Sequence, residues 1–190
     1  MKIRSLSVAA LAAGLAAAAA LLLLWGGAGH AVGQTPPPTV FKVIPWDALI
    51  PKGWDPIKSY QKNNGGVMDD SDPYGQRLMR AIWDNAPTVD AMDGASVKLP
   101  GYVVPLEEAK GKLKEFLLVP YFGACIHSPP PPANQIIHVV IPQPDKAFRA
   151  MDTVWVSGTL KTSRQESSMG MSVYTLKAAR VEPYAPLPGP

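Results

Sequence analysis

From residue 95 to residue 181 the apolar side chains of this chain tend to recur at every second position, in five short runs broken by polar or proline-bearing stretches. Alternation of this kind belongs to strands that lay one face on a core. The runs span 96–106, 116–121, 135–141, 153–160 and 171–181, and the polar residues 107–114 around Gly111 read as a connection between the first two. Gly158 falls in mid-strand, where a barrel corner bends sharply and has no room for a Cβ. Five strands with little helix between them predict a mostly β fold, a small five-stranded OB-like barrel, with a β-sandwich as the alternative.

Upstream the period lengthens. Ser71 or Asp72 followed by Pro73 supplies an N-cap and a first-turn proline, and Leu78, Met79, Ile82 and Trp83 recur at helical spacing as far as Asn85. This is the one short N-terminal helix expected, with Met79 and Trp83 packed on the sheet. Residues 61–72, which hold Asn63-Asn64-Gly65-Gly66 and three aspartates, read as a polar loop without the glutamate that completes a calcium loop. Residues 41–51 carry large apolar anchors around Pro45 and Pro51 and read as an irregular lead-in docked on the core.

Residues 1–31 have the form of an export signal: Lys2 and Arg4, then a run over 6–24 that is almost wholly Ala and Leu, then small residues, with cleavage after Ala28 or Ala31. The run also approaches the roughly 20 residues that cross a bilayer, so an uncleaved N-terminal anchor in the inner membrane stands beside it. Either way the protein is expected to be periplasmic or exported. No cysteine lies near a cleavage site, which removes a lipid anchor. A tether over 32–39, a single domain over 40–182 and a Pro-rich tail over 183–190 complete the division. The formal charge of +3 shrinks once the signal is set aside: 18 Lys plus Arg less Lys2 and Arg4 leaves 16 against 15 Asp plus Glu. With no basic patch, nucleic acid is not a partner.

The chemistry concentrates in Cys125-Ile126-His127-Ser128, followed by the prolines 129–132 and by Ala133-Asn134-Gln135. Cys125 is the only cysteine, so no internal disulfide forms and the thiol is either buried or used. As a metal site, Cys125 and His127 offer thiolate and imidazole to a zinc-like ion, and His138 joins them if the chain turns back after the prolines. That shell is incomplete, which suits transient transfer better than a permanent structural site. Copper(I) would accept sulfur from Met169 and Met171 on either side of Gly170, although methionines two apart in a strand more often pack. As an enzyme, Cys125 would be a nucleophile with His127 or His138 as its base and Asn134 or Gln135 orienting the ring. As a binding module, the ledge of Tyr121 and Phe122 beside the prolines, with Asn134 and Gln135, would meet a protein or cell-wall ligand. As plain structure, Cys125 is a small buried hydrophobe and the prolines a rigid connector.

The run from Ala86-Pro87 through Met92-Asp93-Gly94, Leu99-Pro100-Gly101-Tyr102-Val103-Val104-Pro105-Leu106-Glu107 and Phe116-Leu117-Leu118-Val119-Pro120-Tyr121-Phe122-Gly123-Ala124-Cys125-Ile126-His127 to the prolines and Asn134-Gln135 resembles the bacterial exported family DUF3299 over most of residues 40–182. That resemblance implies a secreted or lipid-anchored envelope protein of no assigned activity. Such proteins are often encoded beside ABC transporter components and in some bacteria within zinc-responsive gene sets. It shifts the balance toward metal handling, with zinc as the ion and an ABC-type envelope transporter as the partner; the reading leans away from an enzyme, with a cysteine-dependent enzyme kept as an alternative. The present chain lacks the lipid-anchor cysteine that some members carry.

Overall fold

Strands form where the alternation places them, but several run well past their last apolar residue. The computed structural model describes residues 39–65, 71–126, 130–144 and 148–185, all within the compact unit Thr39–Pro190. The signal or anchor over 1–31, nearly all of the tether, His127 and the end of the tail lie outside the described residues. No described helix is long and apolar enough to cross a membrane.

Six strands form one mixed sheet: β1 (Lys42–Val43), β2 (Ser96–Ala109), β3 (Lys112–Val119), β4 (Ile137–Val140), β5 (Thr153–Ser167) and β6 (Gly170–Pro183). They lie in the order β1-β2-β3-β4-β6-β5, and β2 also pairs with β5, so the pairings lead from β2 through β3, β4, β6 and β5 back to β2. The β1–β2 and β4–β6 pairs are parallel and the rest antiparallel. Alternate residues of these strands, among them Val103, Phe116, Leu118, Ile137, Val139, Val156, Tyr174 and Leu176, make the main buried core.

Among the described residues there are six strands rather than five, because the lead-in contributes the two-residue β1 before its 3-10 turn Trp46–Leu49. The described residues also form two α-helices rather than one, α1 (Pro56–Asn64) and α2 (Pro73–Asp84). Both start alike: the Asp55 carboxylate accepts from the Ile57 and Lys58 amides, the Asp72 carboxylate from those of Tyr74 and Gly75, and a proline fills the first turn of each. In α1 only Ile57 and Tyr60 are large apolar residues, so no helical repeat announced it, and it takes up part of the expected polar loop.

Polar sequence misled in two further places. Residues 107–114 are a tight hairpin, turned by Lys110 and Gly111 at φ 53° and 72°, and Lys114 Nζ meets Glu107 Oε1 across it at 2.9 Å. The strand expected over 153–160 continues to Ser167 and pairs with β6 as far as Gly170, making an arm of mainly exposed residues beyond Leu160. Two ties hold that arm in place: Arg164 Nη1 donates to Asp84 O at 2.6 Å, and the Thr162 amide to Asp93 Oδ1 at 2.9 Å. In the other direction, Gln135 belongs to a 3-10 turn, Ala133–Gln135, that leads into β4.

Gly158 sits where the β5–β6 register slips, between Ser157↔Arg180 and Gly158↔Ala178. A Cβ there would run into the Lys177 carbonyl oxygen and lie 2.6 Å from Leu176 Cδ2. The strand ends are closed by Tyr174, whose fully buried hydroxyl donates to Leu49 O at 3.0 Å and accepts from the Val89 amide at 2.7 Å. Trp46 Nε1 adds a bond to Pro100 O at 2.8 Å.

Tyr174→Phe leaves that amide and carbonyl without partners and is expected to cost about 1–3 kcal/mol. A thermal melt reads this as a loss of about 2–4 °C per kcal/mol. Gly158→Ala forces the strands apart and is expected to cost about 3 kcal/mol or more in urea unfolding, as overpacking does where backbone cannot yield.

Candidate functional site

After Val119 the chain leaves the sheet through Pro120 and makes two successive tight turns, Ala124 N to Tyr121 O at 3.4 Å and Ile126 N to Gly123 O at 3.2 Å. Gly123 turns with φ 84°, and Cys125 adopts φ 65°, a left-handed conformation that costs a residue with a Cβ about 1–2 kcal/mol. Packing holds it there. Ala124 is fully buried in a second apolar cluster with Val104, Leu117, Val119 and Ile136, and Cys125, Tyr102, Met151 and Met169 lie against it. The Gly123 amide also donates to Met151 Sδ at 3.2 Å.

Cys125 borders a cavity of about 240 Å³ whose other walls are α2, through Arg80 and Asp84, and the tip of the β5–β6 arm, through Glu166, Met169 and Met171. Arg80 Nε and Asp84 Oδ2 pair at 2.9 Å. Burial pushes the Cys125 thiol up to about 11, with Arg80 offsetting only part of the effect. The thiol is therefore protonated at neutral pH. Burial, and then the charge of an ionised Cys125, raises the neighbouring Tyr121 phenol as well.

The residues singled out from sequence scatter around this point. Tyr121 is 45% and Phe122 65% exposed, and the Phe122 ring stands edge-on to Tyr102 with centroids 5.9 Å apart. Asn134 is fully buried and donates from Nδ2 to Pro87 O at 3.0 Å, while Gln135 Nε2 donates to Trp46 O at 3.2 Å. Those two amides tie the turn that follows the prolines to the lead-in, through Trp46, and to the segment before β2, through Pro87.

His138 points to the side of the sheet away from Ile137 and Val139, and its Nε2 lies 3.1 Å from Glu115 Oε2. An ionised carboxylate only accepts, so Nε2 carries the proton, and in the neutral ring that tautomer leaves a lone pair at Nδ1. That Nδ1 is buried and unpartnered, as is Oγ1 of Thr175, the residue directly opposite His138 on β6. His138 and Cys125 adjoin the same apolar cluster, since Leu117 is the cross-strand partner of His138 and Ile136 lies two residues before it. Among the described residues no group of three or more His, Cys, Asp and Glu could hold a metal ion, and His127 lies outside that set.

Sequence reasoning passed over Glu115, Thr175 and Arg80. Parity within the strand could have found the first, because Glu115 is two residues from Leu117 and so shares its face. Nothing local marks Arg80, which reaches Cys125 only through the packing of α2.

A mixed six-stranded sheet with two helices, a His–Glu pair on one face and a half-buried thiol on a loop beside it defines a mostly β domain. The DUF3299 family model, described as a protein of unknown function, matches residues 46–183, and the chain belongs to that family. The crystal structure of a DUF3299 family protein from Pseudomonas aeruginosa PAO1 is similar, at 36% identity with a TM-score of 0.60, the match covering 79% of this chain and 100% of that one. No curated protein matches the chain.

Alkylation of Cys125 by a neutral maleimide tests the thiol directly. With a pKa of about 11, about one thiol in a thousand is ionised at pH 8, so the rate is expected to climb about tenfold per pH unit toward pH 11. A plateau reached by pH 9 would contradict the burial argument.

Proposed function

We propose that this protein is an exported accessory of metal homeostasis that takes a zinc-like divalent ion at Cys125, with His127 and His138 as imidazole ligands, and works with an ABC-type envelope transporter. The observation that carries the reading is His138, whose Nε2 is held by Glu115 while its Nδ1 lone pair is buried without a partner. Metal-binding histidines are typically held this way, one nitrogen fixed by a carboxylate and the other left to the ion. The transporter partnership is supported by the family resemblance alone. The domain carrying the site reads as an OB-like barrel, which the closed sequence of pairings and the single parallel contact β4–β6 within that ring support.

Only the thiolate is a nucleophile or a metal ligand, so a thiol held protonated disfavours the enzyme reading and requires a bound ion to displace the thiol proton. The metal-free binding module is favoured by one observation of its own, the exposure of Tyr121 and Phe122 on the Cys125 loop. It takes over if no metal binds.

Elemental analysis of dialysed protein is expected to give about one zinc per chain, lost in Cys125→Ser, and Glu115→Gln is expected to weaken zinc about 10- to 100-fold in a chelator competition. Equal metal in the wild type and Cys125→Ser would sink the proposal.

A further inference from the structure

The cavity beside Cys125 collects sulfur. Cys125, Met169 and Met171 all line it, and Cys125 and Met169 also pack on the same small apolar cluster. The two methionines do not simply fill one face of a strand, because Met169 occupies the turn at the tip of the β5–β6 arm and Met171 the start of β6. The tip is braced before any ligand arrives. Ser167 Oγ donates to Gly170 O at 2.8 Å and accepts from the Met169 amide at 3.3 Å. Gly170, at φ 145°, lies so close to the Cys125 loop that a Cβ would sit 3.2 Å from Pro130 Cβ and 3.4 Å from Ile136 Cδ1. Arm and loop therefore bring Cys125, Met169 and Met171 to one cavity, with Met171 also packed on the main core and Met169 on the smaller cluster.

Charge around the cavity does not oppose a cation. Arg80 is the one guanidinium on the wall, it is paired with Asp84, and Glu166 adds a second carboxylate. Thioethers are poor partners for zinc, which favours thiolate, imidazole and carboxylate, whereas thiolate together with thioether selects copper(I).

We infer that Cys125, Met169 and Met171 form a binding site for a soft monovalent ion of the copper(I) type, reached from the cavity between α2 and the β5–β6 arm. On binding, the sulfur–metal bond of Cys125 forms as the thiol proton leaves to water, and the two thioethers complete the shell without losing protons. This site does not use His127 or His138. It shares only the thiol with the proposed zinc site, so the two ions exclude each other.

The test uses the full chain, copper(I) buffered by a chromophoric chelator under anaerobic conditions, and silver(I) as a redox-inert second probe. Wild type is expected to withdraw one equivalent of either ion, and Met169→Leu/Met171→Leu to bind it at least tenfold more weakly while retaining the wild-type circular dichroism spectrum and zinc content. X-ray absorption of the copper-loaded wild type is expected to show sulfur neighbours only. Unchanged copper(I) affinity in the double variant, or a shell of nitrogen and oxygen, overturns the inference. Zinc content lost in Cys125→Ser under either of those results leaves the zinc proposal standing, so the two fail separately.

Discussion

A single buried hydroxyl fixes the frame on which everything else is built. Tyr174 projects from the strand beside β4, and its oxygen satisfies one donor and one acceptor from two segments that have no strand of their own there, at Val89 and Leu49. Unpaired backbone groups in a sealed interior are costly, so the lead-in and the segment before β2 settle only where that oxygen can serve both. Trp46 then reaches Pro100, and Gln135 and Asn134 reach Trp46 and Pro87. The far end of the Cys125 loop is thereby anchored through the same junction as the N-terminal lead-in, while its near end is anchored by β3. A loop pinned at both ends can hold a cysteine in a left-handed conformation that a free loop would relax.

The two halves of the candidate chemistry differ in kind. On the outer face of β3, β4 and β6, the polar groups of Glu115, His138 and Thr175 are set by strand pairing, and their spacing follows from the pleat. Around Cys125 the geometry comes from tertiary packing of a helix, a loop and a hairpin tip that are distant in sequence. The first arrangement is rigid because the sheet is rigid. The second is held because Ala124 is buried and Gly170 packs closely on Pro130 and Ile136.

That difference also explains what the sequence could reveal. Core strands were legible wherever large apolar residues alternate, and α2 was legible from Asp72-Pro73 followed by Leu78, Met79, Ile82 and Trp83. The helix α1 opens with the same pair, Asp55-Pro56, but buries too little apolar surface for a repeat to be seen. Exposed strand residues, as in Glu107, Glu108 and most of 161–166, look like loop because neither face of the pleat meets a core. Cys125 was found as a singular residue and Met169 with Met171 as a candidate sulfur pair, but not as neighbours of the thiol, and Arg80 was not found, since no local period connects these residues. Asn134 and Gln135 drew attention as chemistry and serve as braces, because a buried amide that bonds backbone carbonyls looks the same in sequence as one that binds a ligand.

The β5–β6 arm acts as a ruler. Its tip lands beside Cys125 only because of the number of residues between the bulge at Gly158 and the turn at Met169. One added residue in each strand would carry the turn about 3.3 Å further and flip the side chains of the tip to the other face of the pleat. Strand length, in distance and in parity, thus sets whether Met169 borders the cavity beside Cys125.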